Sequence, residues 1–492
     1  KLSANGQQTL LLSSIGLSAG ADDKNLSLRQ LKIRHQLAEV SASAEVGLGG
    51  SLQHQLNVKA QYFEPQGGEV NLVLSSKGNL QQLETQAHIS GLIQADIGIE
   101  ADLVSNALPV DITVSWQNLT WPLVKQAGAP AQFESLQGKL HMAGNLDGLK
   151  LVGQGALAGQ SLPDTSFNLQ ANADRQKLLL DTLSIQTLGG QIIAKGAVTF
   201  SDYLEIVSSL ELNHINPGVL LPEYQADING QLHANVSNPS GQWRAKLSEL
   251  NISGMWRDFP LSIGGNAQVD DLANVVLNKF SIKNGENSLV LDGKLSGDRS
   301  IDFTVQLNAP AIEQSVADLQ GRLSLSAHIS GTLEQPALKY TLEGEKLRFA
   351  DINVKAFDGK GQVLWDELKP VSIELNVQQV IGVNNQIDEA KFSLTGNAQA
   401  HELLLDTTSN KTNLLARIQG TLKNDYWTGR WLEGQIESTY ASLTLAEPFS
   451  ISANWLLQEY SISPHCWQQV NSDLCIKQAS FSDNRARWDL AL

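Results

Sequence analysis

The chain has 492 residues, of which 42% are hydrophobic and 17% are charged, against about 25% charged residues in typical soluble proteins. The hydrophobic share excludes wholesale disorder, and two cysteines exclude a disulfide-dense scaffold or a protein with several zinc sites. The net charge of −16 and the lack of a Lys/Arg cluster argue against nucleic acid as a partner. No run of eighteen apolar residues occurs, so the sequence contains no candidate membrane-spanning helix.

Apolar and polar residues alternate with a period of two along most of the chain. Asp111–Trp116, Phe303–Leu307 and Val371–Val377 each place apolar side chains at every second position. This pattern is typical of antiparallel strands with one apolar and one polar face. Turn signals such as Asp147-Gly148 and Asn284-Gly285 recur about every ten residues, as hairpins require.

Helical patterns are few and short. They occur around Trp121–Ala127, Pro217–Tyr224 and Ala309–Leu319. Since no strand alternates with a long helix, the pattern argues against a parallel α/β fold.

A five-residue signature recurs along the chain: Leu or Ile, Gln or Asn, Gly, any residue, Leu. Its glycines are Gly138, Gly230, Gly321 and Gly420, which lie 92, 91 and 99 residues apart. We therefore expect residues 1–444 to form one continuous repetitive β-trough with repeats of about 92 residues, and residues 445–492 to add further strands. The chain starts without Met and ends in a strand pattern, which favours a fragment of a longer protein.

Three architectures could hold so many strands: several sandwiches, a β-solenoid, or one sheet curled into an open trough. About forty strands spaced about 4.8 Å apart would span roughly 190 Å, and long sheets twist and curl. Solenoid repeats of 20 to 30 residues are absent, and no linker breaks the chain between Ser3 and Leu443. We predict an all-β fold: a long, continuous, twisted antiparallel sheet curled into an open trough with a hydrophobic groove and a few short helical plugs.

Motifs that resemble catalytic sites lack the structural context that the chemistry needs. Gly16–Gly20 matches G-x-S-x-G, but a turn rather than a helix follows it. The glycines of Gly153–Gly159 are misspaced for a dinucleotide loop and no helix follows them. Asp22-Asp23 and Asp270-Asp271 lie in turn contexts, where aspartate bonds the local backbone. We therefore predict no catalytic residue, no cofactor and no enzymatic activity.

The two cysteines, Cys466 and Cys475, lie close together in the sequence. A disulfide closing the eight-residue loop between two strands is the favoured interpretation, and it would imply an oxidising compartment. Zinc bound by both thiolates and His465 is an alternative, although a fourth ligand is not evident. Free thiols are the third possibility, and no metal site is predicted.

The apolar faces of the strands are the remaining candidate site. An ordinary sandwich core is the alternative, but the sequence offers no second set of elements that could cover so long a sheet. An uncovered apolar face on so long a sheet would be a large exposed apolar surface, and such surfaces mark a ligand-binding or partner-binding site. An acyl chain suits a long aliphatic groove without polar features.

The signature with its hairpins, and above all the segment Leu445–Leu492, resembles the TamB family of AsmA-like, bridge-like lipid-transfer proteins. The sharpest part of the resemblance is Trp455, His465–Gln469, Leu474–Ile476 and Trp488. It implies a periplasmic protein of Gram-negative bacteria, tethered to the inner membrane, that carries phospholipid to the outer membrane and supports outer-membrane biogenesis. It also implies a barrel partner, TamA, contacted through regions outside this chain, and an anchor helix and C-terminal domain that this chain lacks.

We therefore expect the chain to bind phospholipid acyl chains in its groove. The alternative is a periplasmic scaffold or chaperone that holds unfolded outer-membrane strands for barrel assembly and autotransporter secretion. An enzyme of the β-helix type, such as a polysaccharide lyase, ranks third. The predicted groove residues are Leu140, Met142, Leu232, Leu323, Leu325, Ile329, Val371, Ile373, Leu375 and Val377.

Overall fold

The computed structural model describes residues 2–4, 8–10, 12–124, 131–364, 369–382, 386–423, 426–470, 472–482 and 485–491. The chain divides into two compact units, residues 1–248 (unit 1) and 249–492 (unit 2). Nearly all described residues lie in antiparallel β-strands, and no α-helix occurs among them. The predicted all-β class is confirmed.

Unit 1 is a series of hairpins, most of whose strands have eight to thirteen residues. Strand β18 (Arg244–Trp256) contains the boundary with unit 2. The strands before it are β1 (Leu2–Ala4), β2 (Gln8–Leu10), β3 (Leu12–Ala21), β4 (Asn25–His35), β5 (Ala38–Gly47), β6 (His54–Phe63), β7 (Glu69–Gly78), β8 (Leu83–Gly91), β9 (Gln94–Ala101), β10 (Val110–Trp121), β11 (Phe133–Asn145), β12 (Gly148–Gly159), β13 (Leu162–Ala173), β14 (Lys177–Thr187), β15 (Gly190–Thr199), β16 (Glu205–Ile215) and β17 (Ala226–Ser237).

Unit 2 continues the same pattern, with shorter strands near its end. Its strands are β19 (Phe259–Asp270), β20 (Val275–Asn284), β21 (Asn287–Leu295), β22 (Ser300–Ala309), β23 (Leu319–Thr332), β24 (Pro336–Phe349), β25 (Ile352–Leu364), β26 (Val371–Ile381), β27 (Gln386–Asn397), β28 (Ala400–Ser409), β29 (Thr412–Lys423), β30 (Tyr426–Ser438), β31 (Ser442–Leu445), β32 (Phe449–Asn454), β33 (Glu459–Ile462), β34 (His465–Gln469), β35 (Ser472–Ser482) and β36 (Arg485–Ala491).

Each strand pairs with the strands before and after it in the sequence. In unit 1 this holds from β3 to β17, and in unit 2 from β19 to β30. The described pairings do not join β3 to β17 or β19 to β36. Each sheet is therefore open rather than closed into a barrel, as the sequence predicted.

The end of unit 2 departs from this simple order. The far edge of β30 pairs with both β31 and β32, which follow one another along it. Beyond them, β32 pairs with β33 and β31 pairs with β34. The long strand β35 then pairs with both β33 and β34. Pro448 directly precedes β32 and Pro464 directly precedes β34, and a proline cannot donate a ladder hydrogen bond. Each proline therefore lies where one short strand has ended and the next begins.

The helical elements among the described residues are three short 3₁₀ turns. The turns η1 (Pro217–Val219) and η3 (Ile312–Gln314) lie within two of the predicted segments but are only three residues long. The turn η2 (Pro239–Gly241) lies between β17 and β18. The third predicted helical segment begins in β10, and its residues 125–127 lie outside the described residues. None of the described helical turns has the length and apolar character needed to cross a membrane.

Hairpin turns at one end of the strands are closed by Asp and Asn side chains. Asn79 Oδ1 accepts the N–H of Gln81 and of Gln82 at 2.8 and 2.9 Å. Asp22 accepts from Lys24 and Asn25, and these two backbone donors lower the pKa of the Asp22 carboxyl below its usual value. The aspartates of these turns are structural, as their sequence context indicated.

The signature glycines relieve different close approaches. Gly138 lies beneath the indole of Trp116 from the neighbouring strand, where a Cβ would overlap the ring. Gly321 has φ +112° and faces the backbone carbonyl of Lys346, so both the conformation and the space require glycine. These two glycines of the motif therefore meet different contacts, and the repeat itself stays a prediction.

The η3 segment is tied to the β20–β21 hairpin by buried asparagines. Asn287 is 5% exposed; its Nδ2 donates to the Ala311 carbonyl at 2.7 Å, and its Oδ1 accepts the Ala311 N–H at 3.1 Å. Ser315 Oγ donates to Asn284 Oδ1 at 3.1 Å.

Asn287→Ala should lower the free energy of unfolding by about 1–3 kcal/mol, because it leaves both polar groups of Ala311 without this partner. Asn57→Ala, an exposed change on β6, should stay within about 0.5 kcal/mol of the parent. Urea unfolding followed by circular dichroism measures both; equal effects of the two changes would contradict the anchoring role.

Candidate functional site

One face of the unit 1 sheet is apolar across successive strands. Ile99 of β9 lies opposite Ile112 of β10, which lies opposite Met142 of β11, which in turn lies opposite Leu151 of β12. Cross-strand partners point to the same side of a sheet, so these residues form one row. The row runs perpendicular to the strands.

The same register extends this surface over β3 to β17, and we call it the unit 1 apolar face. Small residues such as Ala42, Ala87 and Ala171 alternate with larger ones across it. Further members are Ile15, Leu17, Leu31, Ile33, Val40, Val58, Leu72, Leu74, Ile97, Val114, Leu140, Leu169, Leu183, Ile192, Leu210 and Leu232.

Unit 2 has an apolar face of the same kind, which we call the unit 2 apolar face. Leu307 of β22 lies opposite Leu325 of β23, and Leu325 lies opposite Leu342 of β24. Further members are Ile263, Ile282, Leu289, Leu291, Phe303, Val305, Ile329, Leu338, Phe357, Ile373, Leu375, Val377, Phe392, Leu394, Leu403, Leu405, Ile418 and Trp431.

All ten predicted groove residues lie on these two faces. Leu140, Met142 and Leu232 lie on the unit 1 apolar face, and the seven from Leu323 to Val377 lie on the unit 2 apolar face. Every one of the ten is half-buried. Their contact with acyl chains remains a prediction.

The apolar faces are incompletely covered. Ile15 and Leu17 of β3 are 60% and 68% exposed. The accessible surface of the chain is 30300 Å², whereas a compact monomer of 53.3 kDa would expose about 18,000 Å². The most deeply buried apolar residues among the described ones are mostly alanines, such as Ala171, Ala309 and Ala416 at 2%. Much aliphatic surface is therefore accessible to a ligand.

The opposite face of each sheet carries the charges. Lys77 and Glu84 pair across β7 and β8 at 3.1 Å, and Lys360 and Glu374 pair across β25 and β26 at 2.9 Å. The hydrogen bond to Glu374 raises the pKa of Lys360. These exposed pairs contribute little stability, but they keep charge away from the apolar side.

An aromatic cluster covers part of the unit 2 apolar face. The rings of Phe449 and His465 stack with centroids 3.7 Å apart, and Trp431 packs on Phe449 at 5.4 Å and edge-on against Trp467 at 6.0 Å. Phe449 and Trp467 are 4% and 6% exposed. The sequence did not predict this cluster. The signal available was a proline directly before Phe449 and another directly before His465, each of which indicates a break between strands.

Polar groups interrupt the apolar faces at a few positions, and several of them bond one another. In unit 1, Ser76 Oγ lies 3.1 Å from His54 Nε2 and accepts a hydrogen bond from Thr85 at 2.9 Å. In unit 2, Trp427 Nε1 donates to His401 Nε2 at 2.7 Å. Because these groups satisfy one another, they add little polarity to the surface.

The other sequence motifs fall in ordinary strand or turn positions. Gly16–Gly20 lies within β3, and Gly153 and Gly155 lie within β12. Cys466 and Cys475 face each other across β34 and β35 with Cα atoms 4.0 Å apart, and they form a disulfide. Within the described ranges, no group of three or more His, Cys, Asp and Glu side chains is arranged to hold a metal ion.

These features define a class of protein: open antiparallel sheets built from long hairpins, each with one accessible aliphatic face and one charged face. A family model described as "TamB, N-terminal domain" matches residues 1–492. The chain belongs to this family, which confirms the predicted resemblance.

A curated relative gives a second, independent comparison. The chain is 23% identical over 488 residues to the "Translocation and assembly module subunit TamB" of Haemophilus influenzae. The alignment covers 96% of this chain and 37% of that relative, so the chain spans a little over a third of the relative's length.

Replacing both Cys466 and Cys475 by alanine should lower the free energy of unfolding by about 2–3 kcal/mol, because the unfolded chain loses the closed loop. Chemical denaturation of the parent and the double variant measures this change. Alkylation with and without reductant, read by mass spectrometry, tests the bond itself. Labelling of both cysteines in the native, unreduced protein would contradict the pairing.

Proposed function

We propose that this chain forms part of a conduit that carries phospholipid between the inner and outer membranes. The observation that carries the proposal is the register: aliphatic side chains of consecutive strands fall on one side of each sheet, and that side is incompletely covered. When the acyl chains of a lipid lie along such a face, they are removed from water, while the head group stays in solvent.

The energetics suit transport better than tight storage. Burial of apolar area is non-directional and contributes roughly 25 cal/mol per Å², so successive positions along a uniform face bind an acyl chain with similar free energy. Similar neighbouring sites let a lipid move without a deep trap. Polar groups that bond one another on the faces, such as Trp427 and His401, offer little to hold a head group.

The wider role that we propose comes from the family. The curated relative is named as a subunit of a translocation and assembly module, and we propose that this chain takes part in such a module in the envelope of a Gram-negative bacterium. Contact with the outer-membrane barrel TamA would then occur through regions outside this chain. A periplasmic location agrees with the Cys466–Cys475 disulfide, because disulfides persist in oxidising compartments.

Leu325→Asp or Ile373→Asp should remove co-purifying phospholipid and block its transfer, because either change places a charge on the unit 2 apolar face. Both side chains are half-buried, so the sheet should tolerate the change. Lipid mass spectrometry of the purified chain, with a vesicle-to-vesicle transfer assay, measures the loss.

Ser326→Asp is the matched control, since Ser326 is the neighbour of Leu325 in β23, is exposed, and points to the charged face. It should leave lipid content and transfer unchanged. Circular dichroism spectra that match the parent establish that all three variants fold. A folded Leu325→Asp chain that carries as much lipid as the parent would refute the groove.

A second candidate function is a chaperone that holds unfolded outer-membrane strands by strand addition. The observation in its favour is β3, which has a described partner, β4, on one side only. Its sequence, Leu12–Ala21, contains no charge and no proline, and Ile15 and Leu17 are exposed. Such an edge can template the pairing of another strand.

Leu17→Lys should abolish the protection of an unfolded barrel protein against aggregation if β3 acts in this way, because a lysine on an edge strand disfavours further pairing. Light scattering of the substrate with parent or variant chain measures it. Lys59→Arg, on the charged face of β6, serves as control. Equal protection by the parent and the Leu17 variant would exclude this role for β3, while phospholipid content separates the conduit from the chaperone.

A further inference from the structure

Two neighbouring hairpin tips in unit 2 present large apolar side chains to solvent. The β32–β33 turn exposes Trp455, Leu456 and Leu457 by 52%, 79% and 60%. We call the following set the tip cluster: Leu422, Tyr426, Trp455, Leu456, Leu457 and Tyr460. The four residues from Trp455 to Gln458 include no charge.

Backbone pairing brings the two tips side by side. Tyr426, the first residue of β30, lies directly opposite Asn454, the last residue of β32. Asn454 Oδ1 accepts the Leu457 N–H at 3.0 Å and so fixes the turn. Tyr426 and Tyr460 are 45% and 38% exposed. The register places Tyr460 on the unit 2 apolar face and Tyr426 on the opposite face, so one tyrosine lies on each side of the sheet next to the turn.

The tip cluster adjoins one end of the unit 2 apolar face. Leu422 lies opposite Trp427, Trp427 opposite Ala453, and Ala453 opposite Tyr460. The Tyr460 ring in turn contacts Phe481 of β35, with centroids 5.9 Å apart. This row crosses five paired strands and lies directly beneath the exposed turn, so apolar surface is continuous from the sheet to its tip.

We propose that the tip cluster inserts into the surface of a phospholipid membrane. The exposure of its side chains follows the order typical of an interfacial anchor. Leu456 and Leu457 are the most exposed, while the Trp and Tyr side chains, each apolar with one polar atom, are less exposed. Tryptophan and tyrosine favour this level of a membrane, and exposed leucines gain free energy on leaving water. A protein partner is the alternative occupant that the experiment below separates.

The charge of the chain determines which membrane surface suits this contact. The net charge is −16, and Glu459 follows the turn, whereas Lys423 is the cation at the neighbouring tip. An anionic surface would repel the chain on average. The contact therefore rests on apolar insertion, and we expect stronger binding to zwitterionic than to anionic vesicles at low salt.

The test is co-sedimentation of the full 492-residue chain with phosphatidylcholine vesicles. The parent should bind, and the double variant Leu456→Asp, Leu457→Asp should bind at least about tenfold more weakly, because two charges replace the inserted side chains. The matched control is Leu220→Asp, Leu221→Asp, which adds the same charge at residues that are 47% and 53% exposed beside η1. The control should bind like the parent.

A second measurement locates the contact without a charge change. Vesicles with brominated acyl chains should quench part of the tryptophan fluorescence of the parent, and Trp455→Phe should remove most of the quenched component while binding is kept. Three results would overturn the proposal: no vesicle binding by the parent, equal losses in the tip and control double variants, or quenching that is unchanged in Trp455→Phe.

These readouts do not depend on lipid bound to the apolar faces, so the membrane contact and the conduit can fail separately. A chain that co-purifies with phospholipid but does not bind vesicles would support the conduit and contradict the membrane contact. A chain that binds vesicles through the tip cluster but carries no lipid would support the membrane contact and contradict the conduit.

Discussion

The structure depends on one imbalance: a period-two sequence gives every strand an apolar side, and the chain provides little to cover it. In a sandwich, a second sheet would pack on that side and bury it. Here the apolar residues of β3 to β17 and of β19 to β30 line up strand by strand, and most of them stay partly exposed. The charged pairs, such as Lys77 with Glu84, lie on the opposite face and so leave this surface apolar.

Much of this could be predicted from the sequence because side-chain direction in a strand follows directly from position. Leu325 and Ile373 were assigned to one face by alternation, and the register places both there. Alternation fails at bulges: the run Leu178-Leu179-Leu180 gives no face by itself, and the pairing shifts register just after it, between Leu180 and Leu183. A bulge depends on both strands, so one strand's sequence underdetermines it.

The features that the sequence did not predict are contacts between residues that are not cross-strand partners. His465 of β34 stacks on Phe449 of β32, although these two strands are not paired with each other. The stacking arises because β31 and β32 lie one after the other along β30, and the alternation within either segment does not predict that arrangement. The 3₁₀ turns were expected to be longer. Asn287 and Ala311 show why three residues are enough: side-chain to backbone bonds hold the segment without further helical turns.

The pairing of each strand with its sequence neighbours has a consequence for cooperativity. Contacts in such a sheet are short-range along the chain, so stability approximates a sum of strand and nearest-neighbour terms, as in repeat proteins. Order can then propagate from hairpin to hairpin as the polypeptide emerges, without waiting for distant segments. A destabilising change in one strand is likewise expected to disturb mainly the strands that pair with it.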